Sequence, residues 1–387
     1  MSEVCLISTP SRSFNHYRPP MALMYIAAYL EDKGIETDIV DLKLEDPIAS
    51  PGKKEKEKIS KDVLAEVFRL SPKIIGIPCC TPEFNEVIFL AGKIKENNPD
   101  AIIIVGGTHP TLIPEDFFFD ASPIDYAVIG EGEVTTFELA QAIKKKKDVN
   151  SVEGIGFYNK KDKCFVRTEP RPLIQDLDSL PFPAFEKVDM EYYTTPSPYS
   201  VRGVMLSSFY ILYGRGCPSS CTFCVSKNLR KAAGPGRFLR FRSPKNVADE
   251  IEHLTKKYKI DGFYIIDDAF TLQPQHAKEF CDELIARKLD LIWACETRVN
   301  RVDSDLLKKM RKAGCIQVDF GVESGSPDCL KRVKKGITVD QIKDAFDACK
   351  NVGIRTFANV LVNLPGETES ELQQTFDLLE EIKPTVT

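Results

Sequence analysis

Apolar residues fall in short blocks separated by longer amphipathic stretches, and this alternation runs along nearly the whole chain. VCLIST (4–9) reads as a strand covered on both faces, because the apolar run is short and almost unbroken. MALMYIAAYLEDKG (21–34) has helical spacing and ends on Gly34, which accepts the left-handed turn that closes a helix. IETDIVDL (35–42), KIIGIPCC (73–80), AIIIVGG (101–107) and DYAVIG (125–130) predict further strands, with helices near 84–96 and over 133–146. This rhythm predicts an α/β domain with an open parallel sheet over residues 1–150, whose ligands would sit at the carboxyl ends of the strands.

The rhythm breaks at 151. VEGIGFYNKKDKCFVRTEPRPLI predicts a hairpin with a polar turn at 159–163, and DLDSLPFPAFEKVD and TTPSPYS are rich in proline and turn formers. A hairpin and proline-rich connector are therefore expected over 151–200. A second α/β series follows over 201–387, with strands at 206–213, 261–270, 291–298, 315–324 and 355–365. Helices near 245–259, 275–288, 303–313, 338–352 and 369–382 separate them, which implies right-handed crossovers and a partial (β/α) barrel. The last helix should lead into a sixth strand, so ending at Thr387 predicts a barrel cut short at its carboxyl end. The charge runs KKEKEK (53–58) and KKKK (144–147) read as a solvated loop and a solvated helix end.

Composition narrows the class. Hydrophobic residues at 43%, charged residues at 28% and a net charge of −5 fit a globular protein with no global attraction to nucleic acid or membrane. MSEVCLISTP lacks a basic segment before an apolar one, and no run approaches the ~18 apolar residues of a membrane span, so a cytoplasmic location is expected. Twelve cysteines in a reducing compartment are buried thiols, ligands or nucleophiles rather than disulfides. Cys5, Cys79, Cys281, Cys295, Cys315 and Cys349 lie in apolar segments and read as core residues, whereas Cys217, Cys221 and Cys224 form a tight group.

GRGCPSSCTFC places that group in a loop after the first strand of the second series. Thiolates at this spacing can wrap one face of an iron–sulfur cube, and three ligands for four irons leave one iron open to a reactant. A zinc site would want a fourth ligand, and no histidine lies between 217 and 252. The CxxxCxxC loop, with Phe223 before its third cysteine, resembles the signature of the radical S-adenosylmethionine (SAM) superfamily. RSPKNVADEIEHL, IIDDAFT, LLKKMRKAGC, GVESGS and LPGETES resemble the blocks that follow that loop. The resemblance implies an anaerobic enzyme whose 4Fe-4S cluster, on Cys217, Cys221 and Cys224, reduces SAM to methionine and a 5′-deoxyadenosyl radical. It further implies a reductant such as flavodoxin or ferredoxin.

By the same resemblance Phe223 would present its backbone to the adenine, and Asp267 or Asp268 would hold the methionine amino group. Glu323 and Ser324 would bind ribose hydroxyls or the methionine carboxylate, and Arg298 would pair with that carboxylate. One departure is Asn363, where family members often carry glycine. Between 217 and 248 there is no acidic residue, while Lys227, Arg230, Lys231, Arg237, Arg240, Arg242 and Lys245 accumulate, which suits either a phosphate-bearing or acidic substrate or a solvated loop.

GGTHPT (106–111) and IGEGE (129–133) follow the fourth and fifth strands of the first domain. Glycine pairs let backbone approach a bulky ligand, and helix starts supply amide donors. With the connector DLDSLPFPAF, they resemble the Rossmann-like cobalamin-binding domain of cobalamin-dependent radical SAM enzymes. The resemblance implies cobalamin over the strand ends near 9–20, 80–84, 106–111 and 130–133, held by Gly106, Gly107, His109, Thr111, Gly130, Glu131 and Gly132. The motif DxHxxG is absent, and none of His16, His109, His253 and His276 has its context, so no histidine on cobalt is expected. His109 reads as a loop hydrogen-bonding residue. The layout implies methyl transfer to an unactivated carbon of a small molecule, with cyclisation or rearrangement as alternatives. A tRNA methylthiotransferase would need three cysteines on separate loops, which Cys5, Cys79 and Cys80 do not suggest. A truncated protein that binds cofactors without turnover is a further alternative.

Overall fold

The computed structural model describes residues 2–9, 18–41 and 53–387, so part of the loop expected over 9–20, His16 included, lies outside the described residues. The chain divides into two compact units, one of residues 1–175, 179–190 and 228–237, the other of 176–178, 191–227 and 238–387.

In the first unit the elements run β1 (Val4–Ile7), α1 (Met21–Asp32), β2 (Thr37–Val40), α2 (Lys53–Leu70), β3 (Ile74–Pro78) and α3 (Phe84–Asn97). Then come β4 (Ile102–Gly106), α4 (Thr108–Leu112), β5 (Tyr126–Val128) and α5 (Gly132–Lys144), followed by the hairpin β6 (Ile155–Asn159) and β7 (Cys164–Arg167). The sheet order is β2-β1-β3-β4-β5-β6-β7, with the first five strands parallel and the hairpin antiparallel. Residues 151–175, which the sequence assigns to a hairpin and connector, thus fall in the first unit, where β6 extends the sheet beside β5. The run 53–58, read as a solvated loop, instead opens the 18-residue helix α2. A parallel crossover from β2 to β3 needs such a helix, and lysine and glutamate are good helix formers. Lys144 to Lys147 are exposed at the end of α5, as expected.

Both faces of this sheet are covered, which is why its strands read as continuous apolar runs. Cys5, Ile7, Ile75, Ile77, Ile103 and Val105 pack with Val63 and Val67 of α2 and Val87 of α3. Val4, Leu6, Ile74, Ile104 and Val128 pack with Leu23 and Ala27 of α1 and Leu139 of α5. Gly34 has φ +78 and donates its N–H to Glu31 O at 2.9 Å, closing α1 in the left-handed conformation that glycine adopts freely.

After the short α6 (Met190–Thr194), the second unit runs through β8 (Ser208–Ile211) and β9 (Gly214–Arg215) and, past α7 (Ser226–Ala232), most of which belongs to the first unit, resumes with β10 (Arg240–Phe241) and α8 (Pro244–Tyr258). It continues with β11 (Gly262–Ile265), α9 (Pro274–Ala286), β12 (Ile292–Thr297), α10 (Ser304–Lys312) and β13 (Cys315–Glu323). It ends with α11 (Pro327–Arg332), α12 (Val339–Val352), β14 (Arg355–Val360) and α13 (Glu369–Ile382). β8, β11, β12, β13 and β14 lie side by side in sequence order, all parallel. Beyond them Phe357 forms a parallel bridge with Val386, at the position a sixth strand would take. Outside the sheet Phe263, Phe270, Phe280 and Trp293 form an aromatic core, with Phe263 stacked on Trp293 at 5.7 Å. Capping boxes at Thr338/Gln341 and Thr368/Glu371 start α12 and α13. In-sequence parallel strands place all five carboxyl ends on one edge, and the cysteine loop emerges there.

Candidate active site

The loop that carries the cysteines is bracketed by the antiparallel pair β9–β10. Gly216 has φ +90, and a Cβ there would lie 2.5 Å from Phe238 O, so only glycine fits this entry into the loop. Further on, Thr222 N donates to Val333 O at 2.9 Å and ties the loop to the segment after α11. Cys217 and Cys221 are buried, Cys224 is half-buried, and all three are free thiols. They line a single cavity of about 280 Å3 at the carboxyl edge of the second sheet. Among the described residues no three His, Cys, Asp or Glu side chains are gathered for a single metal ion. A four-iron cube is a wider object than one ion, and three free thiols lining one cavity are the donor set it requires.

The same cavity is lined by Phe223, Asp268, Arg298 and Glu323, four of the other positions expected from sequence. Asp268 receives a long hydrogen bond of 3.5 Å from Ser226 Oγ, and burial raises its pKa while that bond opposes the rise. Glu323 sits at a β-bulge with φ +65, an uncommon conformation for a residue with a side chain. Its Oε1 accepts from Lys335 Nζ at 2.6 Å. Room for that ammonium comes from Gly321, where a Cβ would lie 2.5 Å from Lys335 Nζ.

Two expected residues are directed elsewhere. Asp267 is buried and accepts from Tyr213 N at 2.8 Å, so it supports the turn after β8 instead of lining the cavity. Ser324 is fully buried, with Oγ 3.2 Å from Thr375 Oγ1, and braces the turn after β13. Asn363, where family members often carry glycine, has φ +61, so it keeps the conformation glycine would take. Asparagine tolerates that region better than most residues.

Asp267 supplies a pH-dependent signature. Burial raises its pKa to about 7, against the opposing pull of the Gly214 and Tyr213 amides. A carboxyl group raised on folding contributes stability that is full below its unfolded value and is lost as pH climbs through the folded one. Wild type is therefore expected to lose denaturant resistance between the ordinary aspartate range, ~4, and about 7 relative to Asp267→Asn. Parallel urea midpoints for the two proteins across that window would refute the assignment.

Sequence reasoning missed Glu296, Asp319, Lys335 and Asn359, which also line the cavity. Tyr264 Oη lies 3.1 Å from Glu296 Oε1 and 3.0 Å from Asp319 Oδ2, and Gln317 Nε2 donates to Asp319 Oδ1 at 2.8 Å. Burial raises the Asp319 pKa, opposed by Gln317, Tyr264 and the nearby Arg202 and Arg355. The signal was present, since acids inside otherwise buried strands are rarely there for packing. Lys335 carries no such signal, because only the fold brings its loop back to the cysteines.

Of the basic run, Arg242 is buried against Glu250 at 2.5 Å and Lys245 pairs with Asp249 at 2.8 Å. These two serve the protein's own carboxylates.

In the first unit a slot of about 240 Å3 opens between α1, α5 and the sheet. Leu6, Gly76, Ile104, Gly106 and Val128 floor it, Ile26 and Thr136 wall it, and Gly107, Gly130 and Gly132 stand at it. It lies at the ends of β1, β3 and β4, where strand order reverses between β1 and β3, the usual ligand position in such sheets. Gly76 lacks the side chain that would fill it, since a Cβ there would come 2.7 Å from Leu6 Cδ2. An apolar slot with glycine turns fits part of a large planar ligand such as cobalamin.

His109 is on the opposite face, stacked on Phe84 at 5.3 Å with Nε2 3.0 Å from Asp116 Oδ2, so it does not line the slot. Thr111 joins the two glycine turns, donating to Gly107 O at 2.7 Å and accepting from Gly130 N at 3.0 Å. Glu131 accepts from Ile174 N at 2.8 Å instead of facing the slot. Cys5 and Cys79 are fully buried core thiols, with burial pushing Cys5 up to about 12.

Comparison with known proteins finds a family match along each half of the chain. Residues 211–379 match the radical SAM superfamily, and residues 11–140 match the B12 binding domain. The chain is 31% identical over 359 residues to an uncharacterized methyltransferase of Pyrococcus horikoshii, covering 92% of this chain and 72% of that one. It is 33% identical over 372 residues to the anaerobic magnesium-protoporphyrin IX monomethyl ester cyclase of Rubrivivax gelatinosus, covering 95% of this chain and 62% of the relative. In fold it resembles the radical S-adenosylmethionine methyltransferase TsrM of Kitasatospora setae, solved with cobalamin and a 4Fe-4S cluster bound. That likeness has a TM-score of 0.77 at 23% identity and covers 100% of this chain and 71% of the other. With three cysteines on one cavity and a glycine-lined slot in a separate α/β unit, the chain belongs to the radical SAM enzymes that carry a B12-binding domain.

Proposed function

We propose that this protein is a cobalamin-dependent radical SAM methyltransferase acting on an unactivated carbon of a small molecule. The observation that carries this reading is the cavity that brings Cys217, Cys221 and Cys224 together with Asp268 and Glu323. With cluster, SAM and cobalamin bound, the cofactors would supply hydrogen abstraction and a transferable methyl group. The chain's own part is positioning. The three thiolates hold the cluster and leave one iron open, and Asp268 accepts the methionine ammonium. Glu323, fixed by Lys335, meets the ribose or carboxylate, and Phe223 offers its backbone to the adenine. A low-potential donor of the flavodoxin or ferredoxin kind supplies electrons. No described helix is long and apolar enough to cross a membrane. The cyclase among the relatives makes ring formation the competing outcome.

The test is an anaerobic assay of the reconstituted chain with SAM and a strong reductant, with and without cobalamin. Cobalamin-dependent S-adenosylhomocysteine supports methyl transfer. Deoxyadenosine alone, unchanged by cobalamin, favours another radical reaction, and neither product from a cluster-loaded chain refutes the reading. Gly106→Leu serves as the cobalamin control. Its Cβ would meet only Val128 Cβ at 3.8 Å, so the new side chain enters the slot without backbone strain. Overfilling costs about 1–3 kcal/mol, so cobalamin should bind about tenfold more weakly or worse, with iron content unchanged.

A further inference from the structure

Arg298 follows directly on β12, and its guanidinium is held at two points. Nη2 donates to Lys335 O, and Nη1 points at Cys221 Sγ from 3.9 Å. The cavity's other cation, Lys335, is neutralised by Glu323, but among the described residues no carboxylate lies within ion-pair distance of Arg298. A half-buried charge needs a partner, and the sulfur in reach of Nη1 is that of Cys221, a ligand of the cluster in the reading above.

We propose that Arg298 is a positioning residue for electron transfer, which donates an N–H···S bond to the Cys221 thiolate and makes the cluster easier to reduce. The inference rests on the reading that the three cysteines hold a 4Fe-4S cluster. Reduction adds one electron from a low-potential donor and no proton, so the cluster and its three thiolates become more negative by one charge. A cation and hydrogen-bond donor at a ligand sulfur stabilises the more negative state more, which moves the potential upward. Because Nη2 is fixed on a backbone carbonyl, the planar fork is pre-organised for this. The same engagement leaves Arg298 poorly placed to grip the SAM carboxylate with both nitrogens, the role its position suggests from sequence alone.

The experiment is a dye-mediated redox titration of the reconstituted full chain, followed by electron paramagnetic resonance, for wild type, Arg298→Gln and Arg298→Lys. Iron content and SAM binding by equilibrium dialysis are measured in parallel. Arg298→Gln should lower the reduction equilibrium constant about tenfold, a shift of about 59 mV to more negative potential for one electron. Arg298→Lys keeps the charge but not the fork, so its shift should be smaller. Iron content and SAM affinity should stay at wild-type levels in both. An unchanged potential in both iron-loaded variants would overturn the inference, as would a loss of SAM affinity without a shift in potential. A wild-type chain that takes up no cluster would overturn the functional reading as well, and iron analysis tells the two failures apart.

Discussion

Cys221→Ala is expected to reduce 5′-deoxyadenosine formation to the no-enzyme background and to strip the chain of most of its iron. Cys221 is the middle residue of the trio, is 6% exposed, and shares the cavity with Cys217 and Cys224. Removing one of three protein ligands leaves two irons of a cube without a thiolate instead of one, so the cluster loses both its anchorage and its single open position. The cost in folding is small by comparison, because cysteine to alanine deletes only one sulfur. The decisive comparison is Cys281→Ala. Cys281 is fully buried on α9 and burial pushes its pKa up, so it stays a neutral thiol with no part in ligation. That variant should lose some thermal stability and keep iron, sulfide and product formation. Equal iron content in Cys221→Ala and wild type would sink the cluster assignment, and equal loss in both variants would mean the trio is not special.

The sequence disclosed most of this site because its strongest signals are local. Three cysteines within eight positions cannot be mistaken for scattered core thiols, and each acidic or basic residue expected near them lies at the end of an apolar strand. Alternation of strand and helix then placed those ends on one edge. What stayed hidden depends on distance in space. Asp267 and Asp268 are neighbours in sequence, yet one props the turn after β8 and the other lines the cavity, a choice made by strand direction and not by composition. Lys335 is unreadable without knowing that the segment after α11 returns to the cysteine loop and that Gly321 leaves a hole for its ammonium. Helix α2 was missed because its first turn is a dense charge run, which mimics a loop unless the parallel crossover it must make is counted. His109 and Thr111 are only two residues apart, yet one packs under the sheet and the other staples the glycine turns.

Arg242→Met should be the most damaging substitution outside the cysteines, and the damage should grow with pH. Arg242 and Glu250 have side chains only 4% and 0% exposed and approach to 2.5 Å. Arg242 also donates through Nη1 to Leu212 O at 2.9 Å and through Nε to Asn246 Oδ1 at 2.8 Å, while its backbone N–H meets Tyr213 O at 2.9 Å. It therefore fixes the stretch that leads into the cluster loop. Breaking a buried pair by removing one partner costs about 3–5 kcal/mol, a large part of the ~5–15 kcal/mol that holds a typical domain folded. The sign of the pH dependence follows from Glu250. Burial already raises its pKa against the pull of Arg242, and without the guanidinium burial acts alone. Below the ordinary glutamate range, ~4.3, the carboxyl is neutral in both states and needs no cation, so the variant's deficit is least there. As pH rises the folded variant must either keep an unfavourable proton or bury a bare charge, and the deficit widens. Glu250→Leu added to Arg242→Met should restore most of the stability and flatten this dependence, since well-packed apolar pairs often replace buried ion pairs at little cost. Urea titrations of the single and double variants at acid and neutral pH measure both effects. A pH-independent deficit that the second substitution does not relieve would show that the lost bond to Leu212, and not the stranded carboxylate, sets the cost.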